Sequence, residues 1–598
     1  MGYDKIIRDM EILRIDPPNW FANMNNRTLQ LIVYGNDLLG VHVSLEYQQE
    51  LKEAIVSNTY DYLILNIDIS KVKSDTDCVL SFEKGGVIIK KKYHFLARRD
   101  KQTETLSMKD AIYLLMPDRF SISRNKYKMK GIPVDNDKPN CWHGGTIEGM
   151  TAHLDDIADM GFSAVWHTPV LENDQQTTKD TEYYDYHGYA ITDYYAIDTH
   201  LGGITDYCDF VDAAHKKGIK VIMDMVFNHC GIDHPFVKRP PVDGWFNCLG
   251  RGKYQLTNFS PLTSYDKYAS SYDKQHFVKG WFTSSMPDVN LSNTVVLDYM
   301  TQMTIWWVET ADIDAFRIDT YPYAGVEHME AWQRRLYAEY PGFPLLAEAW
   351  VGETEYVSRM QNDNLASIPD STMTFMDFAF QRRISETMGE KNVKIIYTHF
   401  ALDYAYNVSQ NLLAFIDNHD VARWLYKHPS VAELKQAVGL LLTIPRIPQV
   451  YYGTEIMLAG DGKGTSDGNM RQDYPWGKPL NAQQKDFKDY LSRLLKWRRG
   501  CRSITEGEML HFVPLDNNVY VYFRFLRNEK GVIASVVMVI LNFSDKQEDI
   551  DMSRFDEMLS GCKIVRDVIG NYDCSQDLGD LMAIGAHDIM ILELNRYD

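Results

Sequence analysis

No Cys-x-x-Cys pair occurs in this chain, and its eight cysteines (78, 141, 208, 230, 248, 501, 562 and 574) follow no regular spacing. That argues against a zinc knuckle and a disulfide framework, leaving scattered buried thiols as the expectation. The first 15 residues lack the apolar run of a secretory leader, and no stretch reaches membrane-spanning length. As the sequence stands a cytoplasmic protein is expected, or a periplasmic one if a leader has been removed. Basic charge is also short: 62 Lys and Arg against 82 Asp and Glu give a net charge of -20. Nucleic acid and anionic membrane select basic surfaces, so neither is expected as a partner. Internal repeats and low-complexity tracts are absent as well.

Aromatic residues, by contrast, are abundant, with 37 Tyr, 25 Phe and 12 Trp. Most belong in cores, but sugar clefts also use aromatic faces to cover the apolar side of a pyranose ring. At 598 residues the chain exceeds what one core supports, so several domains are expected. Residues 1–105 read as a β module, in which runs such as 29–34 and 62–65 are separated by Gly, Asn and Asp turn signals. From Ile112 strand-length apolar runs alternate with helical-period segments, the pattern of a parallel sheet with crossover helices. Eight strands are predicted, at 112–116, 164–167, 221–227, 313–318, 344–347, 374–378, 412–416 and 447–451. The expected fold is therefore α/β, a (β/α)8 TIM barrel over 106–500 with a B domain inserted after strand three at about 230–290. β-rich modules flank it, an N-terminal sandwich (1–105) and a C-terminal one (501–598).

Barrel active sites form at the carboxyl ends of the strands. Strand three ends in DMVFNH (224–229), strand four in FRIDT (316–320), strand five in AEAW (347–350) and strand seven in FIDNHD (415–420). Four strands thus deliver carboxylates, an arginine and two histidines to one face. Cleaving a glycosidic bond needs one carboxylic acid to protonate the departing oxygen and one carboxylate to attack or activate water. Arg317, two residues before Asp319, shares its side of the strand and can hold it ionised. Asp319 is the expected nucleophile. Glu348 has no cation beside it in sequence and is followed by Ala349 and Trp350, a drier setting that makes it the expected acid/base. Asp420, beside His419, suits hydrogen bonding to sugar hydroxyls.

Those four motifs, in that order, resemble the α-amylase family, family 13 of the glycoside hydrolases. MPDVN (286–290) is similar to its fifth motif, and YHGY (186–189) followed by ITDYYAIDTHLGG resembles its signature after strand two. The resemblance implies that Asp319 is the nucleophile, Glu348 the acid/base and Asp420 the transition-state stabiliser. It also implies that Tyr189 stacks on the sugar, that His229, Arg317 and His419 bond the sugar or its carboxylates, and that His187 supports them. IDPPNWFANM (15–24), MPDRF (116–120) and WHGGTIEGM (142–150) look like the neopullulanase and cyclomaltodextrinase type. GWFTSSMPDVN and FRIDTYPY resemble most closely the starch-utilisation neopullulanases of gut anaerobes. Where many α-amylases carry a Lys-His pair after the nucleophile, this chain has Pro322-Tyr323, which points away from a generic amylase. Tyr323 and Trp350 join the expected substrate contacts.

The resemblance implies retaining hydrolysis of α-1,4 bonds in maltooligosaccharides, cyclodextrins, pullulan or starch, with homodimers formed through the N-terminal module. Transglycosylation of the same glucans is the alternative within enzymes, and a non-catalytic glucan-binding protein the alternative outside them. No cofactor is needed for the chemistry and no metal ligand is assigned. A structural Ca2+ would have Asn228 as a candidate, but calcium takes six to eight oxygens. The family's calcium loop after MPDRF is replaced by SISRNKYKMKG (121–131).

Other residues have plainer expectations. Asp224 is expected to hold an arginine rather than do chemistry, Asn228 to organise a loop, and Glu455 to be structural. For Trp245, Trp281 and Phe282, core packing and sugar contact stay open, as do cleft lining and a solvated loop for residues 471–474.

Overall fold

The computed structural model describes residues 9–47, 50–52, 57–122, 134–173, 184–248, 254–460, 467–577 and 579–596. Eight parallel strands close into a barrel: β1 Ile112–Leu115, β2 Ala164–His167, β3 Lys220–Val226, β4 Ala315–Asp319, β5 Leu345–Ala347, β6 Met373–Met376, β7 Leu412–Phe415 and β8 Ile447–Tyr451. Closure comes from β1 lying beside β8, with Ile112 opposite Gln449. Apart from the half-buried Lys220 at the start of β3, every strand residue is buried, as expected of a parallel sheet covered by helices. All eight strands lie where the apolar runs predict them. β4 starts later than expected, at Ala315 rather than Ile313. Asp312 sits at φ 58 and closes the preceding helix Thr294–Ala311, and the Asp314 carboxylate turns aside to accept from Val221 N–H at 2.8 Å.

After β3 the chain runs through an insertion held by isolated bridges, among them His229 with Asp288 and Phe246 with Val289. Trp245 packs into its core against Phe236 and Tyr299, and Trp281 stacks on Tyr254. Both are buried, so they belong to the core.

The N-terminal module carries a four-stranded and a five-stranded sheet. Its hairpin Thr76–Lys84/Val87–Leu96 turns on Gly85 and Gly86, both at positive φ, as a two-residue turn matched to strand twist demands. The module docks on the barrel through a reciprocal pair: Gln30 N–H donates to Gln302 Oε1 (2.8 Å), and Gln302 Nε2 donates to Gln30 O (2.7 Å). Beside them Glu309, fully buried, accepts from Arg98 Nε at 2.9 Å and Arg99 N–H at 2.7 Å. The C-terminal module holds a six-stranded sheet and a two-stranded one. It is tied to the barrel by the buried Arg524, which donates to Thr443 O at 2.8 Å. Cysteines 78, 141, 208, 230, 248, 501 and 562 are free thiols. No helix among the described residues is long and apolar enough to cross a membrane.

Candidate active site

Parallel register sets the site. Asp224 on β3 lies opposite Arg317 on β4, and Val226 opposite Asp319. On the other side, Ile318 pairs with Ala347 of β5 and Glu348 N–H donates to Ile318 O at 3.0 Å. Arg317 is thereby flanked by three carboxylates. Its Nη1 donates to Asp224 (2.9 and 3.1 Å) and to Asp319 Oδ1 (2.7 Å). Its Nη2 stands 2.9 Å from Glu348 Oε2, near enough for an ion pair though off the line of a hydrogen bond. Glu348 has no cation beside it in sequence, but one reaches it from the neighbouring strand. Trp350 does not dry the site. It is 51% exposed, with one face stacked on Phe378 at 5.2 Å.

Glu348 nevertheless behaves as a held acid. Burial pushes its carboxyl up to about 8, with Asp319 and Asp420 adding to the push and Arg317 opposing it. Thr320 N–H donates to Glu348 Oε2 at 2.8 Å, and Thr320 Oγ1 donates to Asp319 Oδ2 at 3.1 Å. Asp224 anchors Arg317, as expected, and also accepts from Trp166 Nε1 and Tyr189 OH, each at 3.0 Å. Asp420 lies 3.1 Å from both His419 Nε2 and Arg471 Nη2.

These groups face a cavity of about 500 Å3 whose lining includes Asp319, Glu348, Asp420, His187, Tyr189 and His229. Tyr189 is stacked between His187 and His419, its ring nearly parallel to the latter (4°). Burial holds His229 down at about 4 and His419 far below its ordinary range, so both rings are neutral. His229 Nε2 has no hydrogen-bond partner among the described residues. Such a site offers a protonated acid, a carboxylate clamped by a guanidinium, and neutral donors around one bond.

Residues 114–493, well over half of the chain, match the α-amylase catalytic-domain model. The chain belongs to the α-amylase family. Its flanks match the cyclomaltodextrinase N-terminal model at 14–99 and the C-terminal one at 509–593. A cyclomaltodextrinase of Thermoanaerobacter pseudethanolicus is 25% identical over 73% of this chain and 71% of its own length. A maltogenic α-amylase of Bacillus acidopullulyticus is 25% identical over 81% and 78%. An Anoxybacillus α-amylase crystal structure superposes with a TM-score of 0.68 at 26% identity, covering 83% of this chain and all of that one.

Of the α-amylase-family residues singled out in the sequence, every one lies at or directly behind the cavity. Arg317 and His419 stand behind it, while Tyr323 and Trp350 line it. Phe282 proves to be a cleft residue, stacked on His229 at 4.9 Å. Arg471 lines the cleft. Asp473 instead accepts from His143 (2.6 Å), and Gln472 accepts from Gly460 N–H (2.8 Å). Glu455 is buried and accepts from Tyr113 OH at 2.7 Å, a structural place. Phe259, Pro261, Thr283, Met286 and Asp467 line the cleft unanticipated. Thr283 and Met286 fall within the GWFTSSMPDVN run, whereas the only signal of the others is position in the insertion and the loop after β8, because neither segment has a period to read. Asn228 offers one buried amide oxygen without a partner. Among the described residues no three His, Cys, Asp or Glu gather as a metal site. The segment after Ile122 that replaces the family's calcium loop lies largely outside the described residues.

Proposed function

We propose that this α-amylase-family enzyme hydrolyses α-1,4-glucosidic bonds of maltooligosaccharides, cyclodextrins, pullulan or starch with retention of anomeric configuration. The supporting observation is that Asp319 and Glu348 face one cavity across a shared arginine, with Glu348 pushed up to about 8. In the first step an Asp319 oxygen bonds to the anomeric carbon, the glycosidic C–O bond breaks, and the Glu348 proton passes to the departing oxygen. In the second, Glu348 takes a proton from water, whose oxygen displaces Asp319. Asp420, oriented by Arg471, holds hydroxyls of the reacting sugar. Tyr189 covers that ring, with His187 supporting it, and His229 and His419 donate to its hydroxyls. Tyr323 and Trp350 receive the leaving part. In this reading no cofactor takes part.

The aromatic rim of Phe259, Phe282, Tyr323 and Trp350 also supports a second outcome, interception of the glycosyl enzyme by a sugar instead of water. Copies pair through the N-terminal module in the same reading, where Tyr60, Val87 and Ile88 stand exposed. Sedimentation of the intact chain tests that pairing. The activity is tested by product analysis on pullulan, γ-cyclodextrin and starch side by side. Panose from pullulan is expected for α-1,4 cleavage. Maltotriose would mean α-1,6 cleavage and overturn the bond assignment, and products longer than the substrate would mark transfer.

A further inference from the structure

One nitrogen of Arg317 serves two carboxylates. Nη1 donates to both Asp224 and Asp319, while Nη2 lies against Glu348. In the reaction above Asp319 begins as an anion and becomes a neutral ester. Glu348 begins protonated and ends the same step as an anion. One anion replaces another, so the guanidinium faces two carboxylates throughout: Asp224 with Asp319, then Asp224 with Glu348. That constancy holds only while Asp224 stays ionised and in place.

Asp224 has no exposure at all, and burial pushes its carboxyl up to about 7 against the pull of Arg317. Two further donors converge on its Oδ2, Trp166 Nε1 and Tyr189 OH. They are unequal. Tyr189 lies in the cleft wall, and its hydroxyl is shared with His419 Nε2 at 2.7 Å. Among the described residues the Trp166 N–H has Asp224 alone as its acceptor. Trp166 sits on β2 with no exposure, so it does not touch a sugar. Its ring lies beside the guanidinium, 5.1 Å from the Arg317 Cζ, and edge-on to His419 at 5.8 Å.

We infer that Trp166 is a positioning residue for the reaction, its indole N–H holding Asp224 ionised against Arg317 so that the guanidinium can follow the charge from Asp319 to Glu348. The inference rests on the roles assigned to those two carboxylates. Facing Asp224 and Glu348 are Arg317, Asp319, Asp420, Tyr189, Tyr323 and His419, of which burial keeps the two tyrosines and the histidine neutral.

The sign follows from this arrangement. Without the indole donor Asp224 takes up a proton more readily, the positive charge of Arg317 is less balanced, and Glu348 releases its proton at lower pH. The alkaline limb of kcat/KM therefore moves toward acid. Loss of one hydrogen bond to a buried charge moves Asp224 by roughly one pH unit, and the limb, set by Glu348 through Arg317, is displaced by up to that much.

The experiment measures kcat/KM against pH on a short maltooligosaccharide for the parent, Trp166→Phe, Asp224→Asn and the double variant. Phenylalanine keeps a ring beside Arg317 and removes the donor, together with part of the indole volume. Trp166→Phe is expected to move the limb toward acid, Asp224→Asn to move it at least as far, and the double variant to match Asp224→Asn. A rate lowered equally at every pH with the limb unmoved overturns the inference, as does a double variant displaced beyond Asp224→Asn. Should Trp166→Phe fail to fold, replacing Trp166 by 3-benzothienylalanine swaps the N–H for sulfur within the same outline and reads the same limb. Failure of the underlying assignment looks different: Asp319→Asn or Glu348→Gln would then keep substantial activity, which no result on Trp166 produces.

Discussion

Glu348→Gln separates what the carboxyl does for catalysis from what it costs the fold. Its pKa is held near 8 against an ordinary 4.5. Between those two values the folded protein binds a proton that the unfolded chain has released, so stability falls as pH rises and levels off only above about 8. At 1.36 kcal/mol per pH unit, carrying an ionised Glu348 in this site costs about 5 kcal/mol at pH 9 and almost nothing at pH 4. Glutamine keeps the shape, and its carbonyl can still accept from Thr320 N–H, but it has no proton to lose. The stability difference between variant and parent is therefore expected to open steadily from near zero at pH 4–5 to about 5 kcal/mol at pH 9. In a chain this long that corresponds to a Tm gap of roughly 5 °C. Thermal unfolding of both proteins across pH 4–9 measures it, beside kcat/KM on a natural glucan and on a glucoside with a good leaving group. Activity on the natural glucan should be lost in the variant and partly spared on the activated one, whose departure needs little protonation. In the parent the alkaline limb of kcat/KM should fall near pH 8. Unfolding curves that stay parallel at every pH would refute the argument that burial outweighs Arg317 at this carboxyl.

Asp319→Asn should lower kcat by at least ~10³-fold while leaving thermal unfolding and binding of a maltooligosaccharide nearly unchanged. Turnover within tenfold of the parent in a clean preparation would remove Asp319 from the nucleophile's place. At the module seam, Glu309→Ala leaves Arg98 with Glu339 as its remaining carboxylate and the Arg99 N–H without its Glu309 acceptor. Leaving a buried donor unpaired costs about 1–3 kcal/mol, so the N-terminal module should loosen. Limited proteolysis between residues 97 and 111 is the readout, and an unchanged cleavage rate would mean that the seam holds without Glu309.

The barrel was legible because burial on both faces leaves each strand an unbroken apolar run, and eight such runs spaced by helical segments allow few other folds. The carboxylates were legible because the barrel presents strand ends on one face, so a motif's position along the chain already states its side. What position along the chain does not state is who stands beside whom. Two-residue spacing on β4 correctly tied Arg317 to Asp319. It carried no information about Asp224 and Glu348, which reach the same guanidinium through the register of β3 and β5. The cleft wall was hidden for a related reason. Phe259, Thr283 and Met286 lie in an insertion held by isolated bridges, where neither a period of two nor one of 3.6 marks an inward face. The raised carboxyl of Glu348 thus has a different cause than its sequence neighbours suggest. It is not a carboxyl without a cation but one whose burial, with Asp319 and Asp420 nearby, outweighs the cation it has. A balance struck between large opposed effects shifts when any member of the cluster changes charge. Substitutions around Arg317 should therefore show themselves first in the pH at which the enzyme works, and only second in how fast it works at its optimum.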